Sequence, residues 1–62
     1  MILVFVEHGP EGLDETSLET LRFARDLGAA GGGVAVDAVG VGIAGFAAEL
    51  GDHGVRTAYD VV

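Results

Sequence analysis

The first six residues, Met1 to Val6, form an uninterrupted apolar run rich in β-branched and aromatic side chains. Such a run is typical of a β-strand that is buried on both faces in the middle of a parallel sheet. Parallel strands need crossover connections, which are usually helices. The run therefore predicts an α/β fold, in which the rest of the chain supplies helices and further parallel strands.

The first predicted connection is a loop at residues 8–12 followed by a helix over residues 14–27. Asp14 is its expected N-cap, and Gly28 is its expected C-terminal stop. Helical spacing predicts a buried face with Leu21, Ala24 and Leu27, and with Leu18 and Phe23 at its margins. Acidic side chains occupy the opposite side, which is expected to face water.

The second half of the chain repeats the strand and helix pattern. A glycine-rich link at residues 29–33 leads to a strand over 34–41, a short helix over 44–53 and a third strand over 55–62. The order β-α-β-α-β predicts a partial three-layer, Rossmann-like parallel sheet with right-handed crossovers. We expect residues 1–62 to form a single partial domain.

The strand order decides which surface needs a partner. If the strands lie side by side as third, second and first, right-handed crossovers put both helices on one face of the sheet. The other face is then bare, although the first strand is apolar on both sides. More chain or a partner should cover that face.

Composition excludes several classes of protein. The chain of 62 residues carries 3 basic and 10 acidic side chains, a net charge of −7, and contains no Lys and no Cys. This charge repels phosphate backbones and anionic lipids, so neither nucleic acid nor a membrane surface is an expected partner. A mean hydropathy of +0.50 argues against disorder. The apolar run is far below the ~20 residues that span a bilayer, and we expect a cytoplasmic protein.

The residues with reactive side chains predict neither a catalytic nor a metal site. Without Cys or Lys there is no thiolate and no Schiff-base amine. His8 and His53 have no metal-ligand spacing, and Ser17 is expected in the first helical turn. His8 and Glu7 do follow the first strand, at the sheet edge where α/β folds bind ligands. A polar loop at the strand end is the simpler interpretation of these two residues.

One glycine motif fits a nucleotide site. Gly40, Gly42 and Gly45 form a GxGxxG between a predicted strand and a predicted helix, and Asp60 follows near the end of the next strand. This context suits a dinucleotide fingerprint, in which the glycines approach a pyrophosphate and the acid binds a ribose hydroxyl. However, the motif follows the second strand and precedes a short helix, and the chain has 11 glycines. A structural strand-to-helix turn is the competing interpretation.

Read end to end, the chain resembles the N-terminal segment of the electron-transfer flavoprotein alpha subunit. Three stretches carry the resemblance: Ile2 to His8 (ILVFVEH), Leu13 to Arg25 (LDETSLETLRFAR) and Ala47 to Val55 (AAELGDHGV). The resemblance implies a heterodimer with a beta subunit that passes electrons from acyl-CoA or related dehydrogenases to a quinone-linked acceptor. The family's N-terminal domain is far longer than this chain, so we expect a fragment.

The resemblance implies FAD as the cofactor of the parent protein, held by a C-terminal domain that has no counterpart here. No cofactor-binding residue in this segment follows from it. This segment is then expected to serve mainly as a structural and subunit-interface portion. Two alternatives stay open: a dinucleotide-binding module that uses Gly40, Gly42, Gly45 and Asp60 for NAD or FAD, and a small acidic interaction domain without a cofactor.

Overall fold

The structure, a computed structural model, describes all residues 1–62 and contains five short strands, one long helix and one short helix. In chain order the elements are β1 (Ile2–Phe5), β2 (His8–Gly9), β3 (Gly12–Leu13), α1 (Glu15–Ala30), β4 (Val36–Val41), a 3-10 turn (Ala44–Phe46), α2 (Ala47–Asp52) and β5 (Val55–Val61). No helix is both long and apolar enough to cross a membrane.

The main sheet has three parallel strands in the order β1-β4-β5. The predicted α/β class and parallel sheet are therefore confirmed. The predicted β-α-β-α-β order is not reproduced as such, because an antiparallel hairpin of β2 and β3 lies between β1 and α1. That segment was predicted as a loop, because a strand of two residues next to glycine and proline is too short to show an alternation of polar and apolar side chains.

Helix α1 is longer than predicted because Gly28 lies inside it. The Gly28 Cα lies against the backbone of Val34, and an added Cβ would collide with the Val34 carbonyl oxygen. This contact brings the helix close to the chain that enters β4. The buried positions of α1 are Ser17, Leu21, Ala24 and Gly28. The prediction that Leu27 belongs to the buried face, with Phe23 at its margin, was therefore wrong, because both side chains are more than half exposed.

The core lies between the sheet and the two helices. It is a single cluster of eight buried residues from the β1 segment, β4, the turn after β4 and both helices: Val4, Val6, Leu21, Ala24, Val36, Ala38, Ile43 and Leu50. Val55 and Ala58 of β5 are partly buried against it. α1 packs against β1 and β4, while α2 packs against β5. Both helices thus lie on one face of the sheet, which leaves two layers and one uncovered face.

Candidate functional site

The uncovered face of the sheet carries a patch of apolar side chains that we call the open sheet face. Its exposed members are Leu3 (52%), Phe5 (59%), Val41 (62%), Tyr59 (49%) and Val61 (48%). The parallel register aligns them in rows, since Phe5 lies beside Val39, Val39 beside Tyr59, and Val41 beside Val61. Half-buried Val39 is the centre of the patch.

The size of this patch sets it apart from scattered surface hydrophobics. Side chains of this kind present roughly 150–200 Å² each when fully exposed, so five half-exposed ones give on the order of 450 Å². The largest apolar patches on soluble monomers measure about 300–600 Å² and are often functional. The open sheet face is therefore the strongest candidate for an interaction surface.

One charged pair borders this patch, at the amino end of β4. Asp37 is fully buried, and its carboxylate accepts hydrogen bonds from Arg56 Nη2 (2.8 Å), Arg56 Nε (3.1 Å) and the Thr57 N–H (3.2 Å). The register between β4 and β5 shifts here, so that Arg56 and Thr57 together lie opposite Asp37. The carboxylate thereby satisfies the backbone N–H at the irregularity.

Arg56 also compensates the negative charge that Asp37 places beside the open sheet face. Hydrogen bonds from Arg56 hold the pKa of Asp37 below its ordinary value, against the burial that raises it. The carboxylate is therefore ionised and neutralised by Arg56. The sequence does not predict this ion pair, because nothing in one chain's pattern shows which Arg lies beside Asp37. An acid inside an apolar strand was the available signal.

His8 closes the carboxyl end of the patch. Its Nε2 lies 3.0 Å from the Val41 carbonyl oxygen, its Nδ1 lies 3.2 Å from the Gly9 carbonyl oxygen, and its ring packs on Phe46 with the centroids 4.7 Å apart. The ring therefore ties the hairpin to the end of β4. This contact supports the structural interpretation of His8.

Two shallow hollows lie at this end of the molecule. One, of about 210 Å³, is lined by Phe5, Val6, Glu7, His8 and Val41, at the carboxyl edge of the sheet, where open α/β folds bind ligands. The other, of about 300 Å³, surrounds the hairpin loop and β3 at residues 9–15. No group of three or more His, Asp or Glu side chains is placed to hold a metal ion.

The glycine motif forms the turn from β4 into the 3-10 turn, as predicted. Gly40 is buried, and a Cβ there would lie 2.6 Å from the Val6 carbonyl oxygen and 2.7 Å from Ile43 Cγ2. Gly42 has φ +66°, in the left-handed region that favours glycine. Gly45 has no atom within 4 Å of an added Cβ. The fold alone therefore explains two of the three glycines.

Asp60 lies beside Gly40 in the sheet register, so the structure brings the acid and the motif together. Its Oδ1 accepts a hydrogen bond of 2.8 Å from the Ile43 N–H. The Ile43 N–H, which a pyrophosphate would need as a donor, is thus already bonded to a carboxylate. The negative charge of that carboxylate also repels phosphate. The helix that follows has only six residues, Ala47–Asp52. The residues present do not fit the pyrophosphate of NAD or FAD at this turn.

Two further polar residues considered from the sequence, Ser17 and His53, do not form a reactive site. Ser17 is buried and its Oγ accepts a hydrogen bond of 2.9 Å from the Glu7 N–H, which fixes the start of α1 to the end of β1. His53 follows α2 and is half-buried. Neither residue lies in a cluster with other reactive groups.

Comparison with known proteins identifies no relative of this chain. No protein family, no curated protein and no solved structure matches the chain. Functional inference therefore depends on the surface geometry and on the sequence resemblance.

Proposed function

We propose that the chain is an interaction module whose open sheet face docks on another protein. The observation that carries this is the patch of Leu3, Phe5, Val41, Tyr59 and Val61, uncovered on the side away from both helices. A partner that covers this apolar surface removes it from water, which stabilises the complex by about 25 cal/mol per Å² of apolar surface buried. The only charged pair bordering the patch, Asp37 with Arg56, is internally neutralised.

The sequence resemblance supplies the identity of the partner in this proposal. The module is the start of a Rossmann-like N-terminal domain of an electron-transfer flavoprotein alpha subunit, and its partner is the beta subunit. The parent heterodimer carries electrons through FAD from acyl-CoA or related dehydrogenases to a quinone-linked acceptor. The cytoplasm is its proposed compartment. FAD belongs to another part of the parent, so no electron-transfer step is assigned to residues of this chain.

A net charge of −7 makes the proposal more specific. The acidic side chains of α1 lie on its outer side, away from the sheet. A partner that approaches the open sheet face therefore meets an apolar and nearly neutral surface. We expect the affinity for the beta subunit to depend only weakly on salt, since few exposed charges are desolvated.

The experiment is a titration of the chain with the electron-transfer flavoprotein beta subunit encoded in the same genome. The proposal predicts saturable 1:1 binding that Tyr59→Lys weakens at least tenfold. Glu19→Lys is the matched control, because it adds a lysine to an exposed position of α1 on the opposite side of the molecule. The absence of binding, or an equal loss with both variants, contradicts the proposal.

The dinucleotide-binding alternative uses the same end of the sheet but a different surface. In its favour, Asp60 lies beside Gly40 at the end of neighbouring strands. Against it, the Asp60 carboxylate already bonds the Ile43 N–H. We therefore do not adopt it as the proposed function, and it stays a prediction that titration with NAD, FAD and ATP tests.

A further inference from the structure

The two edges of the main sheet differ in how well they are protected. The β5 edge has a register irregularity and the charged side chains Arg56 and Asp60, features that discourage pairing with another strand. The β1 edge has neither a charge nor a proline nor an irregularity. Its sequence, Ile-Leu-Val-Phe, has high β propensity. β1 is thus an unprotected edge strand.

The backbone of β1 leaves two residues free to pair. The N–H groups of Ile2 and Val6 donate to β4 or to the residue before it, at Ala35 O and Val39 O. Successive residues of a strand direct their backbone groups to opposite sides, so the N–H and C=O groups of Leu3 and Phe5 point away from β4. These four groups are the donors and acceptors of the free edge.

The flank of α1 above this edge is also apolar. Arg25 reaches the turn before β5, where its Cδ lies 2.8 Å from the Cβ position of Gly54. Since that side of α1 faces β5, the opposite flank overhangs β1, and helical spacing places Phe23 and Leu27 there. Both side chains are more than half exposed. The charged residues of α1 lie outside this flank.

We propose that the 62-residue chain forms a two-fold dimer through antiparallel pairing of β1 with β1 of a second copy. A register with Val4 opposite Val4 puts Leu3 opposite Phe5 twice. Each of these pairs exchanges two backbone hydrogen bonds, as the antiparallel ladder requires of residues whose groups point outward. The result is a continuous six-stranded sheet with both α1 helices on one face.

The spacing of the helices singles out a second copy as the occupant of this edge. α1 packs over β1 and β4. With strands about 4.8 Å apart, two α1 helices centred between those strands lie about 9.6 Å from each other across the two-fold axis. Packed helices have interaxial distances of 8–10 Å. Phe23 and Leu27 of the two copies then fill the seam between the helices.

Charge restricts where a second copy can dock. Two copies at −7 each repel one another, so self-association is favoured only where charged side chains are absent. The β1 side meets that condition. This inference does not rest on the proposed function, since it uses the β1 edge and the α1 flank and leaves the open sheet face exposed in the dimer.

Sedimentation equilibrium of the full chain, over a concentration series, tests the dimer. We expect twice the 6.3 kDa chain mass at high concentration. Leu3→Pro removes an outward N–H that β4 does not use, so it weakens the dimer at least tenfold. Leu3→Thr is the control, because it also removes the leucine side chain but keeps the N–H. Circular dichroism checks that both variants are folded.

A second pair of variants tests the helix seam. Leu27→Glu weakens the dimer, whereas Ala29→Glu, which adds the same charge to an exposed position on the far side of α1, does not. Amide exchange of the unmodified chain gives an independent readout: the Leu3 and Phe5 N–H groups become protected as concentration rises. A monomer at all concentrations overturns the inference. So does a dimer that Val41→Lys dissociates while Leu3→Pro and Leu27→Glu leave it intact, since that dimer uses the open sheet face.

Discussion

Replacing the glycines of the GxGxxG one at a time separates the structural role of this turn from a ligand role. At Gly40 an added methyl group meets the Val6 carbonyl oxygen at 2.6 Å and Ile43 Cγ2 at 2.7 Å. The carbonyl belongs to the backbone that joins β1 to β4 through the Val6 N–H and Val39 O bond of 2.9 Å. It cannot move aside without weakening that bond.

The expected magnitudes follow from these contacts. Gly40→Ala overpacks the core and lowers the free energy of unfolding by about 2–3 kcal/mol. Gly42→Ala places a Cβ at φ +66° in ordinary contact with His8 Nε2 at 3.5 Å, so its cost of roughly 1–2 kcal/mol comes from the backbone conformation. Gly45→Ala meets no atom within 4 Å and restricts the unfolded chain, so it raises the free energy of unfolding by about 0.5 kcal/mol.

Thermal unfolding followed by circular dichroism measures the series at one fixed protein concentration, because association shifts the melting temperature. For a domain of this size each 1 kcal/mol moves Tm by about 4–8 °C. We therefore expect Gly40→Ala to melt on the order of 10 °C or more below the unmodified chain, and Gly45→Ala slightly above it. Equal Tm values for Gly40→Ala and Gly45→Ala would refute the packing argument.

Three further predictions concern the ion pair, the core and the turn. Since the folded pKa of Asp37 is depressed, its stabilising contribution is present above about pH 4 and is lost as the pH falls through the folded pKa; Asp37→Asn should flatten this part of a stability-against-pH curve, and an unchanged curve argues against the Arg56 pairing. Leu21→Ala removes a fully buried side chain and should destabilise the chain by about 2–5 kcal/mol in urea unfolding; a loss below 1 kcal/mol would show that α1 does not pack on the sheet. NAD and FAD should bind no better than ATP in fluorescence titrations, and Asp60→Asn should change none of the three; a selective dinucleotide affinity that Asp60→Asn abolishes would restore the nucleotide interpretation.

Much of the secondary structure could be predicted from the sequence because its signals are local. The apolar run at Met1 to Val6 predicted β1, and Asp14 marks the start of α1 as expected, although its side chain makes no capping hydrogen bond. The turn at Gly40 to Gly45 falls between a strand and a helix, as the motif requires. These features depend on a few neighbouring residues.

The misses concern contacts between residues that are distant in sequence. Gly28 was predicted to stop α1, but it lies inside the helix, where the absence of a side chain lets the distant Val34 carbonyl approach closely. β1 was expected in the middle of a sheet, yet it forms an edge here. The partner of Asp37 is Arg56, nineteen positions away. The two residues meet at a register shift that the pattern of polar and apolar residues does not predict.

The bare face was predicted conditionally from strand order and helix handedness, and the structure has that order. The row of Phe5, Val39 and Tyr59 could not be predicted, because the register shift near Arg56 changes which β5 side chains face outward. A prediction that ignores the shift assigns Ala58 to the open face and Tyr59 to the core. The existence of an uncovered sheet face could thus be predicted from the sequence, but the side chains that form it could not.

The most direct test of the interaction module is the accessibility of one position on the open sheet face. The chain has no Cys, so Val41→Cys introduces a unique thiol at a site that is 62% exposed. Glu19→Cys, on the outer side of α1, is the reference. We predict that both thiols react rapidly with a labelling reagent in the chain alone, and that saturating beta subunit slows labelling of Val41→Cys at least tenfold while Glu19→Cys is unaffected. Labelling of Val41→Cys at the same rate with and without the beta subunit would contradict the account.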